Sequence, residues 1–212
     1  MENIYFKKIS LIYGSMECGK TLNLFKLYSL LGEKHNVSLC LPVLVYDKSI
    51  SFSKKLNVSY PIWMGRDKFV KFDNVQFFMD EKSFNFDRDD YEFALNHYFK
   101  NIIGNDCDYL IVDEVQFLSK RILEELIFFC EKNGIKIIFS GLEFDYNCNE
   151  FENTKYLKSI SDINLIKLET VCKFCFKNNA KTDWKTNNES DVFATYKSIC
   201  MDCFEIEKKF LK

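Results

Sequence analysis

The sequence of 212 residues contains few of the residues that interrupt regular structure, and very little arginine. It has 7 glycines and 2 prolines, and only three of its 29 basic residues are arginine. No apolar run approaches the roughly 18 to 20 residues of a membrane-spanning helix, and residues 1–8 lack the apolar stretch of a secretory signal. The net charge of −2 does not favour nucleic acid or an anionic membrane as a partner. We therefore expect a cytoplasmic protein that binds neither.

Hydrophobic residues make up 47% of the chain and charged residues 28%, which is typical of a folded protein and excludes intrinsic disorder. The length suits one domain of ordinary size with a small appendage. Nine cysteines without a signal peptide indicate a reducing compartment, in which free thiols and metal thiolates persist. Five of them are scattered, and most of these are expected to be small buried hydrophobic residues: Cys18, Cys40, Cys107, Cys130 and Cys148.

Short apolar runs alternate, along most of the chain, with segments in which apolar residues recur at helical spacing. The patterns predict strands at 6–13, 37–46, 108–113 and 135–141, and helices at 20–32, 88–103 and 119–132. Pro42 indicates a weak interior or an edge position for the second strand, and 62–87 receives no assignment. The alternation predicts an α/β fold, a parallel sheet flanked by helices. After residue 142 the pattern becomes polar and irregular, and we expect a nucleotide-binding domain at 1–160 and a small C-terminal domain at 161–212.

A phosphate-binding loop follows the first predicted strand. Residues 14–21 match G-x-x-x-x-G-K-[ST] and lead into an amphipathic helix. Backbone N–H groups of such a loop, with the positive end of the helix dipole, bind phosphate oxygens. Lys20 would reach the β- and γ-phosphates of ATP, and Thr21 would ligate Mg²⁺. The alternative is that a tight strand–helix turn matches this motif by chance. The predicted nucleotide-binding residues here are Gly14, Ser15, Met16, Glu17, Cys18, Gly19, Lys20 and Thr21.

Two carboxylates end the strand predicted at 108–113. Asp113 would hold Mg²⁺ beside the phosphate loop, usually through a water molecule. Glu114 would point to the other side of the pleat and act as a base near the γ-phosphate. The alternative is a solvated strand end, which is common. The phosphate loop and the acidic pair together favour phosphoryl transfer.

Four cysteines in two C-x-x-C pairs predict a metal site near the C-terminus. Cys172 and Cys175 are separated by 24 residues from Cys200 and Cys203. Four thiolates complete a tetrahedral shell and leave no open position, so the expected zinc is structural. A redox pair is the alternative, but no βαβ pattern surrounds either pair. Such a metal would stabilise a small domain and hold the intervening segment as a loop over a ligand.

The segment Asp113-Glu114-Val115-Gln116-Phe117, after a loop beginning Gly14-Ser15-Met16, resembles the type II thymidine kinase family. The two cysteine segments resemble the zinc-bound lasso of that family, and the motif order agrees over about residues 9–205. The resemblance implies transfer of the γ-phosphoryl of ATP to the 5′-hydroxyl of thymidine or deoxyuridine, in nucleotide salvage. It further implies a homotetramer that is inhibited by dTTP.

The resemblance also assigns roles to residues. Glu114 falls on the catalytic base, Thr21 and Asp113 on the magnesium site, and Gln116 on a nucleotide-binding position. The predicted substrate-binding residues are Phe117, Tyr146, Phe151, Thr182, Val192 and Tyr196. Two departures bear on the site: Lys48 stands where the family usually has an arginine near the phosphates, and the lasso lacks the usual glycines.

Three alternatives remain at this point. A zinc-containing P-loop ATPase acting with nucleic acid would use Asp113 and Glu114 to activate water, but that class usually has a basic surface and an arginine finger. A kinase of another deoxynucleoside would share every motif. A catalytically silent nucleotide-binding relative is disfavoured, because Lys20, Thr21, Asp113 and Glu114 are all present.

Overall fold

The structure is a computed structural model that describes residues 7–42, 75–78, 99, 103, 106–118, 120–187 and 195–210. Within this part of the chain the strands are β1 (Ile9–Gly14), β2 (Val37–Pro42), β3 (Val75–Phe78), β4 (Tyr109–Val112), β5 (Lys136–Leu142), β6 (Asn164–Lys167), β7 (Thr182–Lys185) and β8 (Tyr196–Ile199). The helices with described bounds are α1 (Lys20–Gly32), α2 (Lys120–Lys132), α3 (Glu152–Ser159) and α4 (Met201–Phe210). Val115–Phe117 form a short 3-10 turn. Among the described helices, none has the length and apolarity that crossing a bilayer requires.

Six strands form one parallel sheet in the order β3-β2-β4-β5-β1-β6. The central strands are continuous apolar runs, because a parallel sheet covered on both faces excludes water from both. The carboxyl ends of parallel strands meet at one edge. The turns after β1, β4 and β5 therefore lie together at this edge of the sheet.

Alternate residues of the strands pack into two cores, as a two-residue period requires. Leu11 and Ile137 face a core that contains Leu123 and Leu126 of α2. The neighbouring residues of the same strands, Ile12 and Ile138, face a second core together with Leu24 and Phe25 of α1. Helices therefore cover both faces of the sheet, and the predicted α/β class is confirmed.

Local patterns located most of the elements in the first 142 residues. The helix predicted at 20–32 is α1, and the predictions at 119–132, 108–113 and 135–141 match α2, β4 and β5 to within one residue at each end. β1 begins later than predicted, at Ile9. Of the helix predicted at 88–103 only Phe99 and Ile103 are described, both helical and buried. The unassigned stretch contains β3, and the loop predicted at 47–61 lies outside the described residues.

Of the two expectations for Pro42, the edge position was wrong. β2 is an interior strand between β3 and β4, and Pro42 is its last residue, paired with Phe78 of β3. The pairing with β4 already ends at Cys40. Proline is tolerated there because no further ladder bond toward β4 is needed from its missing N–H.

The chain after residue 142 has more regular structure than its sequence pattern indicates. α3 and β6 belong to the main body, since β6 pairs with β1 in the large sheet. The large sheet thus continues to Lys167, past the expected division at 160/161. β7 and β8 form a separate antiparallel hairpin, and α4 follows it. A division into two domains stays a proposal, and the sheet places it after Lys167.

Candidate active site

The phosphate loop joins β1 to α1 at the carboxyl edge of the sheet. Gly14 must be glycine, because a Cβ there would lie 2.3 Å from the backbone oxygen of Leu168. Gly19 has a φ of 88° and immediately precedes α1, so it supplies the left-handed turn that starts the helix. Glu17 also has a positive φ, of 56°. The result is a tight loop at a helix N-terminus, the geometry that binds phosphate.

Lys20 is the buried cation of the loop, with only 6% of its surface exposed. Its Nζ donates a 2.7 Å hydrogen bond to the carbonyl of Ser15 and lies 3.4 Å from the carbonyl of Gly14. The ammonium group therefore folds back over its own loop. An anion bound there would offer it stronger, charged acceptors than these two carbonyls.

Asp113 lies against the phosphate loop although β5 separates its strand from β1. The Thr21 hydroxyl donates to Asp113 Oδ2 at 2.9 Å, and the backbone N–H of Glu114 donates to Oδ1 at 2.9 Å. Burial raises the pKa of the Asp113 carboxyl, and these hydrogen bonds together with the charge of Lys20 offset that only in part. A hydroxyl and a carboxylate side by side are the oxygen ligands that Mg²⁺ prefers.

Glu114 stands outside β4, in a left-handed conformation with a φ of 54°. The prediction that it points to the opposite side of the pleat was therefore wrong, because strand alternation stops at Val112. Gln116 fixes its carboxylate: Gln116 Nε2 donates to Glu114 Oε2 at 2.5 Å, while Gln116 Oε1 accepts from the N–H of Leu142 at 3.1 Å. The Gln116 side chain thus connects Glu114 to the end of β5.

Glu143 forms an ion cluster just after β5. Its carboxylate lies 2.9 Å from Nζ of Lys158 and 2.8 Å from Nζ of Lys167, and Lys158 also pairs with Glu150. Burial would raise the pKa of Glu143, but the hydrogen bonds and charges of the two lysines outweigh it and hold the pKa below its usual range. This cluster connects the ends of α3 and β6 to the edge of the sheet where the site lies.

The four predicted metal ligands converge. The sulfur atoms of Cys172, Cys175, Cys200 and Cys203 all lie within 4.8 Å of one another, and the Cys175 and Cys200 sulfurs are 3.8 Å apart. Four zinc–sulfur bonds of about 2.3 Å at tetrahedral angles place sulfurs about 3.8 Å apart. Backbone N–H groups of Asn178 and Lys177 lower the pKa of Cys175 to about 6, whereas burial and the neighbouring cysteines raise the pKa of Cys203 to about 12. The cluster can therefore hold a zinc ion.

The two cysteine pairs occupy different local structures. Cys172 and Cys175 lie on a turn that ends at Phe176, which has a φ of 57°. Cys200 immediately precedes α4, and Cys203 lies in the first turn of that helix. The first pair therefore lies on a short turn and the second at the start of a helix.

Three of the predicted substrate-binding residues come together near the hairpin of β7 and β8. The rings of Tyr146 and Tyr196 have centroids 6.2 Å apart, and the Thr182 hydroxyl donates to the carbonyl of Asp145 at 2.5 Å. Lys185 Nζ lies 5.6 Å from the Tyr146 ring centroid. This cluster presents two aromatic faces and a cation, which can contact a planar ligand.

The other predicted substrate-binding residues lie elsewhere or outside the description. Phe117 ends the 3-10 turn after Glu114 and is 53% exposed. Phe151 immediately precedes α3, where its N–H donates to the carbonyl of Glu143. Val192 and Lys48 lie outside the described residues.

Sequence reasoning missed two residues that contact the phosphate loop. Asp183 and Ser198 are a directly opposed pair of the hairpin; Asp183 accepts from the Met16 N–H, and Ser198 donates to the Met16 carbonyl. No local pattern marks them, because their partner is 167 and 182 residues away along the chain.

Comparisons with known proteins identify the family of the chain. A family model described as "Thymidine kinase" matches residues 79–204, more than half of the chain. The chain is 41% identical over 76 residues to a thymidine kinase of Encephalitozoon cuniculi, covering 36% of this chain and 35% of that relative. It is 25% identical over 195 residues to a thymidine kinase of Streptococcus agalactiae, covering 91% of this chain and 86% of that relative.

Over the first relatives matched, the chain spans between 35% and 58% of their own lengths. Among solved structures, the chain is similar to a DNA replication initiation factor with a TM-score of 0.42 and 15% identity, over 78% of this chain and 40% of that chain. A similarity of that size carries no inference about function.

Proposed function

Because the chain belongs to the thymidine kinase family, we propose that it transfers the γ-phosphoryl group of ATP to the 5′-hydroxyl of thymidine or deoxyuridine. The observation that carries the proposal is the 2.9 Å contact between Thr21 of the phosphate loop and Asp113, next to a Glu114 carboxylate held by Gln116. This arrangement supplies a phosphate cradle, oxygen ligands for a cation, and a base, all at one edge of the sheet.

In this proposal the loop binds the triphosphate. The N–H groups at the start of α1 bind phosphate oxygens, and Lys20 exchanges its carbonyl acceptors for the β- and γ-phosphates. Thr21 and Asp113 are the residues that would hold Mg²⁺, which supplies charge neutralisation when it is bound with ATP. Burial raises the pKa of Asp113, and a cation bound beside the carboxylate would favour its charged form.

Glu114 is the proposed general base. As the 5′-oxygen of the nucleoside bonds to the γ-phosphorus, its proton moves to a carboxylate oxygen of Glu114, and the bond from the γ-phosphorus to the bridging oxygen breaks to release ADP. Gln116 keeps the carboxylate at the carboxyl edge of the sheet through its contact with Glu114. Phosphoryl transfer depends mainly on such positioning and on charge neutralisation.

The cysteine cluster is proposed to hold a structural zinc that anchors the hairpin over the nucleoside. Four sulfur ligands leave no open position for catalysis. Tyr146 and Tyr196 are the aromatic residues proposed to contact the base, and a closed cover would keep water from the γ-phosphate. Within the same proposal the protein acts in the cytoplasm, in nucleotide salvage and DNA synthesis, as a homotetramer inhibited by dTTP.

A substrate screen tests the proposal. Purified, zinc-loaded protein is incubated with Mg-ATP and thymidine, deoxyuridine, deoxycytidine, deoxyadenosine or deoxyguanosine, and separately with single-stranded DNA; nucleoside monophosphate and ADP are both quantified. The expected result is thymidine monophosphate and ADP in equal amounts. A monophosphate from another nucleoside only would correct the substrate. ADP release that depends on DNA, with no monophosphate from any nucleoside, would overturn the kinase assignment in favour of a nucleic-acid ATPase.

A further inference from the structure

Two side chains of the hairpin of β7 and β8 form hydrogen bonds with the backbone of the phosphate loop. The N–H of Met16 donates to both carboxylate oxygens of Asp183, at 3.1 and 3.0 Å. The carbonyl of Met16 accepts a 2.6 Å hydrogen bond from Ser198 Oγ, which lies 3.1 Å from Asp183 Oδ1. Both polar groups of Met16 are therefore occupied by one pair of side chains.

This pair is buried and is fixed by the hairpin itself. Asp183 is 3% exposed and Ser198 is fully buried. They are directly opposite each other in the antiparallel register, so they share one face of the hairpin. The opposite face packs through Trp184 and Ile199 into the cluster that contains the cysteines. The hairpin thus has one face on the metal-site core and the other on the phosphate loop.

The same face also reaches the predicted nucleoside contacts. Tyr196 lies two residues before Ser198 on β8, and its ring lies near that of Tyr146. A single rigid hairpin therefore contacts the loop that would bind the phosphoryl donor and the residues that would bind the acceptor.

A buried carboxylate beside an anion-binding loop repels a bound phosphate. Its presence there suggests that it also contributes something that favours phosphate binding. Asp183 is close enough to Lys20 and Glu17 for their charges to act on it, and Lys20 favours its charged form. A loop with left-handed residues at Glu17 and Gly19 has alternative peptide orientations when it is empty. Fixing both groups of Met16 removes one of those alternatives before the ligand arrives.

We propose that Asp183 and Ser198 are positioning residues that hold the phosphate loop in its phosphate-binding conformation and align it with the nucleoside site. The inference rests on the proposed function for its ligand, a nucleoside triphosphate. Neither residue touches the reacting atoms; Asp183 acts through the Ser15–Met16 peptide group and Ser198 through the Met16–Glu17 peptide group. Removing the Asp183 carboxylate leaves the Ser15–Met16 peptide less constrained, and the lost order must be restored when ATP binds.

The expected effect is on ATP and not on the nucleoside. Asp183→Ala should raise the KM for ATP about tenfold, the amount expected for losing one hydrogen bond to a charged group, with the KM for thymidine within about twofold of wild type. Asp183→Asn keeps an acceptor for the Met16 N–H and should recover most of the affinity. Ser198→Ala should weaken ATP binding about threefold, since a neutral donor is lost. Lys197→Ala is the matched control, because Lys197 is exposed on the neighbouring position of β8.

The experiment measures binding of the non-hydrolysable analogue AMP-PNP by calorimetry alongside steady-state kinetics, with zinc content and circular dichroism to verify folding. Weakened AMP-PNP binding in Asp183→Ala, restored in Asp183→Asn and normal in Lys197→Ala, supports the positioning role. Unchanged AMP-PNP affinity, or a lower kcat with both KM values unchanged, overturns it. If Asp183→Ala does not fold, Ser198→Ala decides by the same readouts. If the wild-type protein binds AMP-PNP but phosphorylates no nucleoside, the proposed function fails, and AMP-PNP binding still tests the positioning role. If the wild-type protein does not bind AMP-PNP, the proposed function and the positioning role both fail.

Discussion

Replacing Glu114 with glutamine tests the proposed general base, because the change preserves the shape of the side chain and removes its basicity. In the structure, Glu114 Oε2 accepts a hydrogen bond from Gln116 Nε2, and a glutamine oxygen at position 114 can accept the same bond. The N–H of residue 114 that bonds Asp113 belongs to the backbone and is unaffected. The variant should therefore keep the geometry of the site.

The expected loss follows from the role of the carboxylate. General-base assistance contributes roughly 10²–10⁴ in rate, or ~3–5 kcal/mol of barrier, so Glu114→Gln should lower kcat by that factor. The groups proposed to bind the phosphates and Mg²⁺ include Lys20, Thr21 and the loop N–H groups, whereas Glu114 is bonded to Gln116. The affinity for ATP should therefore stay within about twofold of wild type.

Initial rates of thymidine monophosphate formation at saturating Mg-ATP provide the measurement, with AMP-PNP binding measured on the same preparations. Glu131→Gln is a suitable control, because it removes one carboxylate from the exposed face of α2. A Glu114→Gln enzyme that turns over within about threefold of wild type would remove Glu114 from the mechanism. A large loss of AMP-PNP affinity would instead show that the residue supports the loop.

Three further outcomes are expected. Gln116→Leu removes the donor to Glu114 and should lower kcat about tenfold, and a kcat equal to wild type would show that the 2.5 Å contact is dispensable. Cys172→Ser should release the bound zinc and lower the melting temperature by roughly 5 °C or more, measured by metal analysis and calorimetry; retention of one zinc per chain would argue against the four-sulfur site. Glu143→Gln should destabilise the protein at neutral pH, but the difference from wild type should vanish on acidification. The pKa of Glu143 is lowered by Lys167 and Lys158. The stabilisation is therefore present above the unfolded pKa of about 4.3 and is lost as the pH falls through the pKa of the folded state. A difference that persists at pH 2 in denaturation curves would show that the ion cluster is not its cause.

Most of the elements that the structure describes between residues 7 and 142 were predictable because they carry local signals. β4 and β5 are apolar runs buried on both faces, and α2 has an apolar stripe that includes Leu123 and Leu126. The loop before α1 is recognisable because its glycines are required by backbone geometry, as the close approach at Gly14 shows. In each case the residue types are fixed by the immediate surroundings, so the pattern is visible in the sequence.

The elements after residue 142 carry weaker signals for physical reasons. β6 is an edge strand in which intermediate and exposed residues alternate, and Leu165 is 43% exposed, so it lacks a buried run. The hairpin of β7 and β8 is held by packing against cysteines, aromatic residues and the phosphate loop. Its stability comes from contacts distant in sequence, and a cysteine spacing indicates only that the four sulfurs meet.

α3 shows why the missed parts lie close to the site. Its buried residues include Asn153 and Thr154, which break the apolar stripe that would identify a helix. Asn153 Nδ2 donates to the carbonyls of Val115 and Leu118, and the Thr154 hydroxyl donates to the carbonyl of Leu142. These side chains donate hydrogen bonds to backbone carbonyls at the end of β5 and in the turn after β4. Asp113 and Glu114 lie at the start of that turn, where the pairing of β4 has ended. At the edge of the proposed site, carbonyls that lack strand partners need such donors. Polar residues therefore replace apolar ones there, and the hydrophobic pattern fails in that region.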